Sequence, residues 1–248
     1  MTRRLGFALL MAAWATAASA QAPDARNVDP AVAGRGRGAP GGKTPKDAAP
    51  IDLTGYWVSI VSEDWRFRMV RAPKGDYPDV PLNPEGKKVA DAWDPSEKPE
   101  SCKAYGAPNV MRQPTRLHIT WADDRTLKIE TDAGVQTRLL HFVTTPAPSG
   151  PPTRQGNSVA AWEGRASLKV ATSNLLPGYL QTNGVPFSGK ATMTEFFDVL
   201  TEANGDVWLI HDASVEDPTY LFRSMVRSTH FRKEKDGSKW DPTPCWGK

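Results

Sequence analysis

Three runs between Arg116 and Phe142 alternate apolar and polar side chains with a period of two. Leu117, Ile119 and Trp121 alternate with Arg116, His118 and Thr120, and Leu127, Ile129 and Thr131 alternate with Lys128, Glu130 and Asp132. Asp123-Asp124 separates the first run from the second, and Ala133-Gly134 separates the second from residues 135–142. A period of two sends successive side chains to opposite faces of a strand and suits no helix. Connections this short join neighbouring antiparallel strands, so the chain must build a sheet with one buried face.

The rest of the sequence continues that pattern. Residues 53–61 are β-branched and aromatic, and Trp65, Phe67 and Met69 alternate with Arg66, Arg68 and Val70, which predicts a second strand. Residues 167–172, 191–200, 207–211 and 221–233 are further strand candidates, with Asn204-Gly205 as a hairpin turn and Asp236-Gly237 closing the last. Residues 84–93 alone read as a helix: Pro84 suits a first helical turn, and Val89, Ala90 and Trp93 share a face. The expected fold is all-β, a single antiparallel barrel of about eight strands with one short helix, and a β-sandwich is the alternative. Eight of the nine Trp lie beyond residue 50, enough bulky apolar material for its core.

The N-terminus reads as an address. Arg3 and Arg4 precede an apolar stretch over residues 5–18, and Ala18-Ser19-Ala20 is a small-residue cleavage site, the three parts of a secretory signal peptide. Cleavage after Ala20 implies a periplasmic or secreted bacterial protein. Residues 21–50 hold five Pro and five Gly around Gly34-Arg35-Gly36-Arg37-Gly38, too little apolar area to offset the entropy of ordering them. The expected organisation is a signal peptide over 1–20, a disordered leader over 21–50 and a β-barrel domain over 51–248. With 31 Lys+Arg against 28 Asp+Glu, a net charge of +3 gives no electrostatic case for nucleic acid. No apolar run beyond the signal reaches membrane-spanning length.

Cys102 and Cys245 form an even pair in an oxidising compartment, so a disulfide between them is expected. Nucleotide-binding, phosphoryl-transfer, serine-hydrolase, zinc-protease and EF-hand signatures are all missing, and no metal or cofactor is expected. His118, His141, His211 and His230 fall on predicted strands at spacings that match no local ligand motif. Glu195 lies on the otherwise apolar face of Met193, Phe197 and Val199, so its carboxyl must be paired or its pKa rises. An ion pair with Arg138 or Arg227 is the favoured expectation. The alternative makes Glu195, His118 and His211 a catalytic acid–base set. Trp121 and Phe197 are the candidate aromatic walls of a ligand site, with Arg116, Arg138 and His230 orienting a polar end. Asp198 and Asp212 are assigned to the solvent side, as are Arg66 and Arg68.

Asp52-Leu-Thr-Gly55-Tyr56-Trp57 resembles the G-x-W start of lipocalin-type (calycin) barrels. That resemblance implies a Trp closing the barrel floor under a basic residue of the last strand, for which Arg227 and Arg232 are the candidates. The long Pro-rich insertion over residues 74–106 departs from the lipocalin pattern. Glu63-Asp-Trp-Arg-Phe-Arg-Met69, Ser101-Cys-Lys-Ala-Tyr-Gly106, Asp132-Ala-Gly-Val-Gln-Thr-Arg138 and Asp236-Gly-Ser-Lys-Trp-Asp-Pro-Thr-Pro-Cys245 resemble a family of secreted bacterial proteins. The second likeness implies secretion and a single domain, and carries no chemistry.

Three functional readings follow. The first is a barrel binding a small apolar or aromatic molecule in its interior. The second is a cofactor-independent lyase or isomerase using a His/Glu pair in the same cavity. The third is a filled barrel whose loop over 74–106 meets a partner. A fold of this kind hosts all three.

Overall fold

The computed structural model describes residues 42–96, 102–143 and 150–245; the expected signal peptide and most of the leader lie outside them. Eleven strands occur among the described residues: β1 Gly55–Ile60, β2 Arg116–Asp123, β3 Thr126–Thr131, β4 Gln136–His141, β5 Asn157–Glu163, β6 Ser167–Ser173, β7 Gly178–Gln181, β8 Val185–Phe187, β9 Thr192–Thr201, β10 Val207–Glu216 and β11 Met225–Lys233. Nine of them close a barrel in the order β1-β11-β10-β9-β6-β5-β4-β3-β2, and β7 and β8 form a separate hairpin. The barrel therefore has one strand more than the expected eight. It is also not wholly antiparallel: β4 and β5 run parallel, joined only at Leu140↔Ser158 and His141↔Val159. Two strands paired in parallel cannot be joined by a hairpin.

The β2–β4 meander forms where the alternation places it, with Leu117, Ile119, Leu127, Ile129 and Leu140 buried. Gly134 makes the β3–β4 turn at φ +78, and a Cβ there would lie 2.2 Å from the Tyr105 ring. Gly134→Ala is therefore expected to destabilise by about 1–3 kcal/mol, read as a lowered urea midpoint, since both the backbone and the contact forbid a methyl.

Residues 65–69 do not form the predicted strand. Asp64 takes a left-handed conformation (φ 49) and starts a short helix, α1 Trp65–Arg68. Its polar members decide the geometry: Arg68 pairs with Glu63 and donates from Nε to the Arg112 carbonyl at 2.8 Å, while Arg66 pairs with Asp76. Arg68 is consequently buried, not solvated, and Trp65 and Met69 are exposed. The expected helix is present as α2 Pro84–Ala92, with Asn83 accepting from the Gly86 amide as its cap. It is joined by α3 Ala107–Val110 after a single 3₁₀ turn.

Trp57 sits in the core and its indole Nε1 donates to the Leu53 carbonyl at 2.9 Å. The basic side chain over its ring is Lys233, 5.2 Å away and directly opposite on β11, and not Arg227 or Arg232. Residues 43–50, assigned by composition to the leader, lie against the barrel: the Lys46 amide donates to the Asp124 carbonyl and the Trp162 indole donates to the Pro45 carbonyl. At the other end of the chain, Thr243 bridges Ala133 as a parallel neighbour and a Cys102–Cys245 disulfide ties down the tail. No helix among the described residues is long and apolar enough to cross a membrane.

Candidate functional site

Strand alternation places one inward polar side chain on each of six adjacent barrel strands: Thr229 on β11, His211 on β10, Glu195 on β9, Thr172 on β6, Ser158 on β5 and Arg138 on β4. Most same-face neighbours of these residues on their own strands are apolar, Gln136 on β4 and Arg227 on β11 excepted. On one side Phe197, Leu209, Phe231, Val170 and Leu140 belong to the main core, and on the other Met193, Ala213, Val215 and Met225 belong to a second cluster. A polar layer thus crosses the barrel between two apolar ones.

Its centre is an ion pair. Arg138 Nη1 and Nη2 donate to Glu195 Oε1 and Oε2 at 2.8 and 2.6 Å, the planar two-bond arrangement that suits a guanidinium and a carboxylate. His211 Nε2 lies 2.9 Å from Glu195 Oε1, and its Nδ1 lies 3.0 Å from the Thr229 hydroxyl. The Ser158 and Thr172 hydroxyls are 2.8 Å apart, each 3.5 Å from Arg138 Nη2. Burial alone would raise the Glu195 carboxyl; the Arg138 charge and the hydrogen bonds from Arg138 and His211 outweigh it and hold the group at about 2. Glu195 is therefore a carboxylate at any physiological pH, and both ring nitrogens of His211 are occupied.

Above this layer, α3 and the residues after it close the barrel end. An enclosed cavity of about 10 Å³, room for about one water molecule, remains between Pro108, Met111 and Arg112 and the inward faces of His211, Val215, Met225, Arg227 and Thr229. The rim beyond carries charge. Arg112 Nη2 and Arg227 Nε approach the same Asp64 Oδ2, at 3.2 and 3.3 Å, and His230 Nδ1 is 3.3 Å from Glu63 Oε2. Burial and then the nearby Arg227 charge pull the Arg112 guanidinium down to about 10.

Of the residues singled out in the sequence, the fold brings Glu195, His211 and Arg138 together, with Phe197 packed at 4.8 Å on the His211 ring. The others are elsewhere. His118 faces outward, stacked on Tyr56 at 4.2 Å and 3.4 Å from Glu130, so it cannot join Glu195 in an acid–base set. Arg116 is on the same outer wall, paired with Glu234 at 3.0 Å. His230 is at the rim, and Trp121 closes the opposite end of the barrel beside Phe142 and Trp162. Thr229, Ser158 and Thr172 were not legible as site residues, because a hydroxyl on a strand looks the same facing in or out. Arg112 lies outside every periodic segment. Among the described residues, no group of three or more His, Cys, Asp or Glu is placed to hold a metal ion.

A second concavity lies outside the barrel. Residues 75–82 and the β10–β11 loop form an open groove of about 640 Å³, with Tyr77, Pro78, Pro81, Phe222 and Arg223 in its walls. The two segments are stitched by a Leu82↔Leu221 bridge and by the Phe222 amide donating to the Pro81 carbonyl. No protein-family model matches the sequence, and no curated protein matches it.

Proposed function

We propose that the chain is a secreted interaction protein, a filled barrel that presents the groove between residues 75–82 and Phe222-Arg223 to a partner protein. The observation that carries this reading is the cavity among the described residues beneath α3, beside the inward polar layer: it has room for about one water molecule, while small-molecule sites enclose hundreds of cubic ångströms. The polar groups inside bond to one another, Arg138 Nε excepted. Glu195 is held at about 2, which leaves it too weak a base for acid–base turnover.

The groove has the chemistry of a contact surface. Phe222 is 67% exposed with the Arg223 guanidinium 5.6 Å from its ring centre, and aromatic and Arg side chains are the usual anchors of protein interfaces. Lys87, Arg223 and Asp79 line it without ion-pair partners among the described residues, so the unpaired lining is net positive. The partner it fits offers an apolar side chain to Phe222 and Pro78 and a carboxylate to Arg223.

Replacing both Phe222 and Arg223 with Ala is expected to change the unfolding free energy by no more than about 0.5 kcal/mol, because both side chains are solvated. The same change should abolish a photo-crosslink from position 79, exposed in the groove, to a single protein partner in the native compartment. Absence of any crosslinked partner, or a crosslink unaffected by the double substitution, would overturn the docking surface. A second reading rests on His211 and Thr229 lining the cavity beneath α3: displacement of Met111 would open a pocket for a small ligand there.

A further inference from the structure

At the rim of the barrel the charges do not balance. Arg68 is matched by Glu63, while Arg112 and Arg227 share a single oxygen of Asp64. Three guanidiniums therefore face two carboxylates, an excess of one positive charge even with His230 neutral. Arg227 Nε–H is buried and donates no hydrogen bond; its approach to Asp64 at 3.3 Å is electrostatic only. Arg112 and Arg227 both line the enclosed cavity with Thr229, while the two Arg227 Nη atoms donate to the Val226 and Asp79 carbonyls. The nearest interior carboxylate, Glu195, is neutralised by its two bonds to Arg138 and does not repel an anion there.

We propose that this cavity is a site for a monatomic anion, chloride, held between Arg112 and Arg227. Size selects the class: room for about one water molecule excludes phosphate or a carboxylic acid. The remaining walls offer a water no acceptor for its protons. Met111, Met225, Val215 and Ala213 offer no hydrogen bonds, whereas a buried water needs two to four polar partners. A halide only accepts, and the two cations supply its donors; the Thr229 hydroxyl is already held by His211. Chloride then supplies the counter-charge that Asp64 divides between two guanidiniums. Arg227 also lines the docking groove, but an anion inside the cavity is detected apart from any partner on that groove.

The test is crystallographic and thermodynamic. Crystals grown with bromide in place of chloride should show an anomalous peak inside the cavity between Arg112 and Arg227. At constant ionic strength, chloride at ten times its dissociation constant should raise the unfolding temperature by about 3–6 °C over gluconate, and Arg227→Gln should remove most of that rise. A cavity with no anomalous signal would overturn the proposal, as would bromide confined to exposed Lys and Arg. So would equal unfolding temperatures in the two salts. Should Arg227→Gln fail to fold, the bromide experiment on the unaltered protein decides alone.

Discussion

Glu195→Gln is expected to lower the unfolding free energy by about 3–5 kcal/mol, the largest loss for any single substitution in the barrel wall. Removing one member of a buried ion pair leaves the other as an uncompensated charge in a medium that solvates it poorly. Here the stranded group is Arg138, 1% exposed and surrounded by strands on every side. Changing Arg138 to Met and Glu195 to Leu together should recover most of the loss, because an apolar pair of similar volume removes both charges at once. Urea unfolding of the two variants beside the parent measures both numbers.

The same carboxyl makes a pH signature. Its pKa is lowered on folding from 4.5 to about 2, so the unfolded chain binds the proton more readily between those values. The stability it contributes, about 3 kcal/mol, is therefore complete above about pH 5 and declines as pH falls below 4.5. About 2 kcal/mol of it should be gone by pH 3. Exposed carboxylates add their own acid dependence, so the informative quantity is the difference between parent and Glu195→Gln. That difference should shrink on acidification and be small near pH 2. A difference constant from pH 6 to pH 3 would contradict the assignment.

Loss of the disulfide is the second large effect. Cys102 and Cys245 are 143 residues apart, and the bond fastens the tail that carries Trp240 and Thr243. In the chain-entropy account a loop of that length contributes about 5 kcal/mol, and measured losses for native disulfides run from about 2 to 5. Exchange of both cysteines for Ser should lower the unfolding free energy by that range. It should also raise hydrogen exchange at the Gly134 and Thr243 amides, which bond to the Thr243 and Asp132 carbonyls. Protection unchanged at those two amides would show that the tail is held without the bond.

How far the sequence carried the fold depends on what each segment leans on. The β2–β4 meander was legible because both its faces are decided locally, by alternation and by turn residues. α1 was not: its alternation of Trp65, Phe67 and Met69 with arginines is a strand pattern, overruled by ion pairs from Arg66 and Arg68 to Asp76 and Glu63. The parallel β4–β5 seam could not be read either, since nothing in either strand states its partner. β5 was missed because two of the three residues on its inward side, Ser158 and Ala160, are small, leaving Trp162 as its one bulky apolar member.

At the site, the pairing of Glu195 with Arg138 was foreseeable, because a carboxylate on an apolar face demands a cation. His118 shows the limit. On β2 the inward phase belongs to Leu117 and Ile119, which sends His118 to the outer wall against Tyr56. A strand's phase thus decides whether a His can be catalytic, and facing strands settle it jointly. The rim cations stayed hidden for a different reason: Arg112 and Arg227 meet at Asp64 from positions 64, 112 and 227, a contact only the closed barrel creates.

The filled interior is the claim on which the functional reading rests, and native mass spectrometry of the protein, purified from its own compartment without detergent, tests it most directly. A mass equal to the processed chain with one disulfide is the expected result, since a space the size of one water cannot retain an organic molecule. A reproducible additional mass of a few hundred daltons at one-to-one stoichiometry would contradict it and establish the barrel as a small-molecule site.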